Sequence, residues 1–327
     1  MDRTALFRAD ASPRLGAGHV MRCLTLADAL ASRGWRCAFD SAEGTEAIVP
    51  AVRRYMTSVT GPMDLVVVDH YGLDAAYERG WRDRARRILI IDDLADRHHE
   101  CDLLLDQTWG RGAGDYAGLV PAHCRVMTGS RYCLLRPGFA AHRPAALARP
   151  RDRVGSVVVS LGGTDPGNAT CRVLGALASL QAEIHVVMGR GACHLDQVRA
   201  AVARLPHGRL HVDVAHMDAL LAGADFAVGA AGTSAWERCC LGVPTLLLVL
   251  VDNQRLVASN LEQAGAARIV AESAMLDPAR LRAAIEDLKQ AGALARMSSA
   301  AAAICDGLGA DRLCSAIEDL FASEGRE

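Results

Sequence analysis

The sequence predicts an α/β protein made of two Rossmann-like domains, and three observations lead there. Apolar, strand-like runs alternate with helix-period segments from residue 4 to about 135, the pattern of a parallel sheet with crossover helices. The alternation breaks at 138–153, where two prolines and many charges interrupt any apolar period, and it starts afresh at 155. In each half the first strand ends in a glycine-containing turn that opens a helix, which puts ligand crevices at the carboxyl edges of the sheets. The expected domains are 1–140 and 154–327, with 138–153 as the linker, a helical tail on the second domain and the two crevices facing each other.

Taken in order, the first half gives strands near 4–10, 35–39, 64–69, 87–92, 102–106 and 124–128, with helices near 19–33, 44–55 and 74–86. Thr4-Ala5-Leu6-Phe7 is a buried strand, and Val20, Leu24, Ala27 and Leu30 recur at helical spacing. The second half gives strands near 155–161, 184–188, 209–213, 225–229 and 244–250. Helices are expected near 193–204, 216–222, 233–241 and 253–264, and the tail from 277 is Ala-rich and helical. A final helix near 309–323 fits either domain, and no internal repeat is evident.

Composition narrows the class. With 51% hydrophobic and 23% charged residues the chain is a folded globular protein. A net charge of −2 gives no electrostatic case for nucleic acid or an anionic membrane surface, so any bound anion must be caught by local groups. The apolar run Val243–Val251 is too short to span a bilayer and is expected as a buried strand. The N-terminus has no apolar h-region, and eleven cysteines without metal-type spacing are expected as reduced thiols in the cytoplasm.

Several turns carry candidate chemistry. In Leu15-Gly16-Ala17-Gly18-His19 a strand hands over to a helix that begins at the histidine, where the helix dipole disfavours imidazolium and keeps His19 a proton acceptor. A tight turn with a solvent-facing histidine is the plainer reading. Gly162-Gly163-Thr164-Asp165 offers backbone amides to a phosphate, or is only a helix start at Pro166 capped by Asp165. Gly232-Thr233-Ser234 opens another helix one turn before Glu237. Ser234-x-x-Glu237 fits a capping box; alternatively Glu237 accepts two hydrogen bonds from a ribose diol. Asp252-Asn253-Gln254 is an N-cap or part of the same crevice.

Asp69-His70-Tyr71 places three polar side chains where a buried strand ends, and Asp92–Asp102 gathers carboxylates and imidazoles that suit a divalent ion or a plain polar loop. Neither a Walker loop nor a full Gly-x-Gly-x-x-Gly is present.

These motifs line up in order. Arg8-Ala9-Asp10, Gly16-x-Gly18-His19-x-x-Arg22, Asp69-His70-Tyr71-Gly72, Asp92-Asp93 to His99-x-Cys101-Asp102, Gly162–Asp165, Glu237 and Asn253-Gln254 together resemble the UDP-sugar hydrolases of pseudaminic acid biosynthesis. Those enzymes cleave UDP-2,4-diacetamido-2,4,6-trideoxy-β-L-altropyranose and are similar to the MurG-type glycosyltransferases of GT-B fold. The resemblance runs to about residue 265, and the tail beyond about 275 extends past the family's shorter members.

The resemblance implies a two-domain GT-B architecture, with His19 as catalytic base and Tyr71 near the reacting sugar. It implies a substrate site drawn from Asp10, Gly16, Gly18, Gly162, Gly163, Thr164, Asp165, Thr233, Ser234, Glu237 and Asn253. The implied reaction is attack of water at the anomeric carbon with inversion, without cofactor or metal. The implied partner is a small UDP-sugar, not nucleic acid or membrane, and the oligomeric state is left open. A GT-B glycosyltransferase using a UDP-amino-sugar donor is the alternative.

Overall fold

A computed structural model describes residues 3–12, 15–57, 61–272 and 275–322. The chain divides into two units, Met1–Leu135 with Leu308–Glu327, and Arg136–Gly307.

The first unit holds β1 (Thr4–Ala9), β2 (Arg36–Asp40), β3 (Met63–Asp69), β4 (Ala85–Ile91), β5 (Leu103–Asp106) and β6 (Arg125–Thr128). They form one parallel sheet in the order β2-β1-β3-β4-β5-β6. Strands buried on both faces need continuous apolar runs, which Leu65-Val66-Val67-Val68 and Ile88-Leu89-Ile90-Ile91 supply. The Gly18–Ala31 helix follows β1 and buries Val20, Leu24, Ala27 and Leu30 in a core shared with Phe7 and Leu65. Strand order reverses between β1 and β3, where Ala9 stands opposite Asp69. That reversal is the switch point at which open α/β sheets bind ligands.

The second unit holds β7 (Ser156–Ser160), β8 (Glu183–Met188), β9 (Gly208–Val212), β10 (Phe226–Ala230), β11 (Thr245–Leu248) and β12 (Ala267–Ala271). Its parallel sheet runs β12-β11-β10-β7-β8-β9, the doubly wound order with the reversal between β7 and β10. Gly229 stands opposite Ser160 there, so the turns after these two strands emerge side by side.

Four expectations need correction. The segment 138–153 is largely a helix, Pro137–Ala148, not a linker. Pro137 starts it without loss, and Pro144 removes one backbone bond. Tertiary contacts outweigh that loss: Phe139 and Ala146 are buried, and Arg143 donates to the carbonyls of Cys240, Ala302 and Cys305.

The tail helix Gly309–Ala322 does not stay on the second domain. It packs Leu313, Ile317 and Phe321 into the core of the first unit, with the Phe321 ring edge-on to Trp35 at 5.5 Å. The segment 44–55 splits into a Thr45–Ile48 helix and a Pro50–Tyr55 3-10 turn, because Pro50 cannot continue the first hydrogen-bond pattern. Finally β12 was not foreseen, since Arg268 breaks a run of only five residues. Among the described residues, no helix is long and apolar enough to cross a membrane.

Candidate active site

The turn after β1 needs Gly16, whose φ of +77° a side chain would resist, and its N–H donates to the Ser12 carbonyl at 2.8 Å. Gly18 is the first residue of the following helix, which has no side-chain cap. His19 is therefore delivered to the end of β1, beside the end of β3. There its Nδ1 lies 2.6 Å from Asp69 Oδ1. Arg22 Nη2 also lies 3.2 Å from Nδ1 but donates to Asp69 Oδ1 at 2.6 Å. Since a carboxylate only accepts, the shorter His19–Asp69 contact assigns the imidazole proton to Nδ1 and leaves Nε2 as an acceptor. Among the described residues Nε2 takes no hydrogen bond.

Asp69 is fully buried, and Arg22, one turn along from His19, grips it with Nε at 2.5 Å and Nη2 at 2.6 Å. Burial alone would raise the Asp69 carboxyl, but Arg22 and His19 outweigh it and hold it well below the usual carboxylate range. Tyr71 packs edge-on against the His19 ring at 4.6 Å and donates from its hydroxyl to Asp93 Oδ2 at 3.3 Å. Burial, reinforced by Asp93, pushes the Tyr71 phenol up, so it acts as a donor near neutral pH. The structure thus joins His19 to Tyr71, and adds Asp69 and Arg22, which the sequence marked as motif residues without a role.

Two other predicted features are turned to structural use. The Asp10 carboxylate takes both arms of Arg8, the Ala42 N–H at 2.7 Å and, at 3.3 Å, His70 Nε2. In the Asp92–Asp102 segment, His99 Nδ1 pairs with Glu78 at 2.7 Å, Asp92 with Arg97 at 2.8 Å and Asp102 with Arg82 at 2.7 Å. Among the described residues no group of three acidic, imidazole or thiol side chains is arranged to hold a metal. Burial works to lower the His99 pKa, but its carboxylate neighbours Asp92 and Glu78 win and raise it to about 9, which marks a buried ion pair.

In the second unit, Gly162 turns the chain after β7 with φ +97°, and Gly163 is exposed with Thr164 half-buried beside it. Asp165 instead points inward. Its carboxylate accepts from Ala169 N at 2.9 Å and Thr170 N at 2.8 Å, so it caps a helix that begins at Ala169, not at Pro166.

After β10, Thr233 precedes the Ser234–Cys240 helix without any side-chain cap, so the capping box does not form. Glu237 is left with no hydrogen bond among the described residues. Its nearest cation is Arg136 Nη2, at 3.9 Å, and the side chain is 21% exposed. Burial pushes its carboxyl up to about 7, against the pull of Arg136 and Arg238. Asn253 lies exposed in the Asp252–Gln254 turn. A Cβ at Gly232 would stand 3.8 Å from Gln254 Nε2, which places that turn next to the Thr233–Ser234 helix start.

Two doubly wound units in tandem, each with its side chains gathered at a switch point, make this a GT-B-type fold. MurG from Acinetobacter baumannii has the same architecture, with a TM-score of 0.66 and 16% identity over 97% of this chain and 99% of that one. Among proteins compared by sequence, the chain is similar to the UDP-2,4-diacetamido-2,4,6-trideoxy-beta-L-altropyranose hydrolase of Campylobacter jejuni. They are 30% identical over 184 residues, 53% of this chain and 65% of the relative. It is also 31% identical over 152 residues to the spore coat polysaccharide biosynthesis protein SpsG of Bacillus subtilis, 45% of this chain and 44% of that one. The matched segments span less than two thirds of either curated relative. No family model matches the chain.

Proposed function

We propose that the chain is a hydrolase that releases UDP from a UDP-2,4-diacetamido-2,4,6-trideoxy-β-L-altropyranose-type sugar. Water attacks the anomeric carbon, the C–O bond to the diphosphate breaks with inversion, and the free diacetamido-trideoxy-altrose is the product. The observation that carries the reading is His19: Asp69 fixes its Nδ1–H, and Nε2 is left to take the proton of the attacking water. Such general-base help is worth about 10²–10⁴ in rate.

The second unit supplies the grip on UDP in this reading. Gly162, Gly163 and Thr164 offer backbone amides to the diphosphate, Thr233 and Ser234 add hydroxyls, and Glu237 takes the ribose diol. That the Glu237 carboxylate is not used as a helix cap supports this assignment. A diphosphate leaves readily without a protonating acid, so the scheme needs neither a second carboxylic acid nor a metal, in contrast to most glycosidases. The similarity to the Campylobacter hydrolase supports the choice of substrate.

The second reading, a transferase that passes the sugar to an acceptor hydroxyl, is favoured by the likeness of fold to MurG. Incubation of the purified protein with the UDP-sugar in buffer, followed by ³¹P NMR, separates the two. Steady UDP release with no acceptor present is the expected result. Release that begins only when an acceptor is added would establish the transferase instead.

A further inference from the structure

Arg238 is only 2% exposed, and among the described residues no carboxylate matches its charge. Nη2 donates to the Ala230 carbonyl at 2.6 Å, Nη1 donates to Ser234 Oγ at 3.1 Å, and among the described residues Nε has no partner. Among the described residues no carboxylate lies within ion-pair distance of it, although Glu237 is its neighbour in sequence. The backbone is cut to fit it: a Cβ at Gly229 would stand 2.6 Å from Nη1 and 2.7 Å from Cζ.

Arg22, buried likewise, is held by Asp69, whereas Arg151 donates only to neutral acceptors, the carbonyls of Ala146, Ala224 and Leu241, with Nε unpartnered among the described residues. Arg238 differs from Arg151 in bonding a side-chain hydroxyl at the glycine turn. A buried guanidinium without a carboxylate is costly, and an anion at that turn would lower the cost. Burial lowers Arg238 to about 10, which leaves it cationic at neutral pH.

We infer that Arg238 is a positioning residue for phosphate recognition. By donating to Ser234 Oγ it turns the serine's own hydroxyl proton away from the guanidinium and toward a phosphoryl oxygen, and it supplies positive charge beneath the Gly229–Ser234 turn. The ligand class is a diphosphate ester, and the inference rests on the proposed seat of the nucleotide at that turn. No bond is made or broken in this role.

The test compares UDP with uridine, which lacks the phosphates, by calorimetric titration of the wild type, Arg238→Met, Ser234→Ala and the double variant, with thermal melts alongside. Arg238→Met is expected to weaken UDP by about tenfold or more while leaving uridine unchanged, the size of one hydrogen bond to a charged group. Ser234→Ala is expected to remove most of the same increment, and the double variant to add little. UDP and uridine weakened in the same proportion, or UDP unaffected, would make Arg238 a structural residue only. Should Arg238→Met fail to fold, Ser234→Ala decides: an unchanged preference for UDP over uridine overturns the inference. A wild-type protein that binds uridine and UDP equally refutes the inference while keeping the nucleoside site. One that binds neither refutes the nucleotide reading itself.

Discussion

At the scale of single residues, His19 depends on partners that no local pattern reveals. Asp69 lies fifty positions away and reaches it because β3 is the neighbour of β1 across the switch point. A fully buried carboxylate is tolerated only when its charge is met, and Arg22 meets it with two hydrogen bonds. The sequence made the histidine legible through the glycines before it, but the pairing with Asp69 follows from strand order.

Glu237 was legible as a carboxylate one turn into a helix. Whether it capped that helix was decided by Thr233, which occupies the cap position without bonding back. Its carboxyl, pushed up to about 7 by burial, yields a pH prediction. Only the ionised form accepts both protons of a diol, so UDP affinity should rise by roughly tenfold between pH 6 and pH 8. The phosphate of UDP titrates too, so Glu237→Gln is the control, and calorimetry should find a clearly shallower rise in it. Equal slopes in the two proteins would remove Glu237 from the ribose. For the empty protein the sign is reversed: a raised carboxyl favours the fold while protonated, and that contribution fades as pH rises through about 7.

At the scale of elements, what was readable were buried strands and the glycine turns that end them, because a parallel sheet covered on both faces demands apolar runs. The Pro137–Ala148 helix was hidden by Pro144, whose local penalty is offset by Arg143 and by buried Phe139, contacts far away in sequence. The Gly309–Ala322 helix was readable as a helix but not as part of the first unit, since an apolar stripe fits either core. Its attachment is testable. Ile317 is fully buried beside Leu313 and the Trp35–Phe321 pair, so Ile317→Ala should lower stability by about 2–5 kcal/mol in urea denaturation. A loss of only a few tenths would mean that this helix does not complete the core.

At the scale of the whole molecule, two parallel six-stranded sheets repeat one solution: a strand, a glycine turn and a helix start at the point where strand order reverses. The repeat is why the two-domain α/β class could be read from the alternation of segments alone. In the function proposed above it gives a division of labour, with a base on the first unit and a nucleotide grip on the second. Fold alone does not separate a hydrolase from a transferase, and acceptor-free release of UDP does; both readings place the proton transfer on His19. The direct measurement is turnover of a UDP-sugar by His19→Asn, with UDP affinity determined on the same preparation. A fall in kcat of at least about 10²-fold with UDP affinity retained is the predicted result. A variant that binds UDP and still turns over at the wild-type rate would contradict the account.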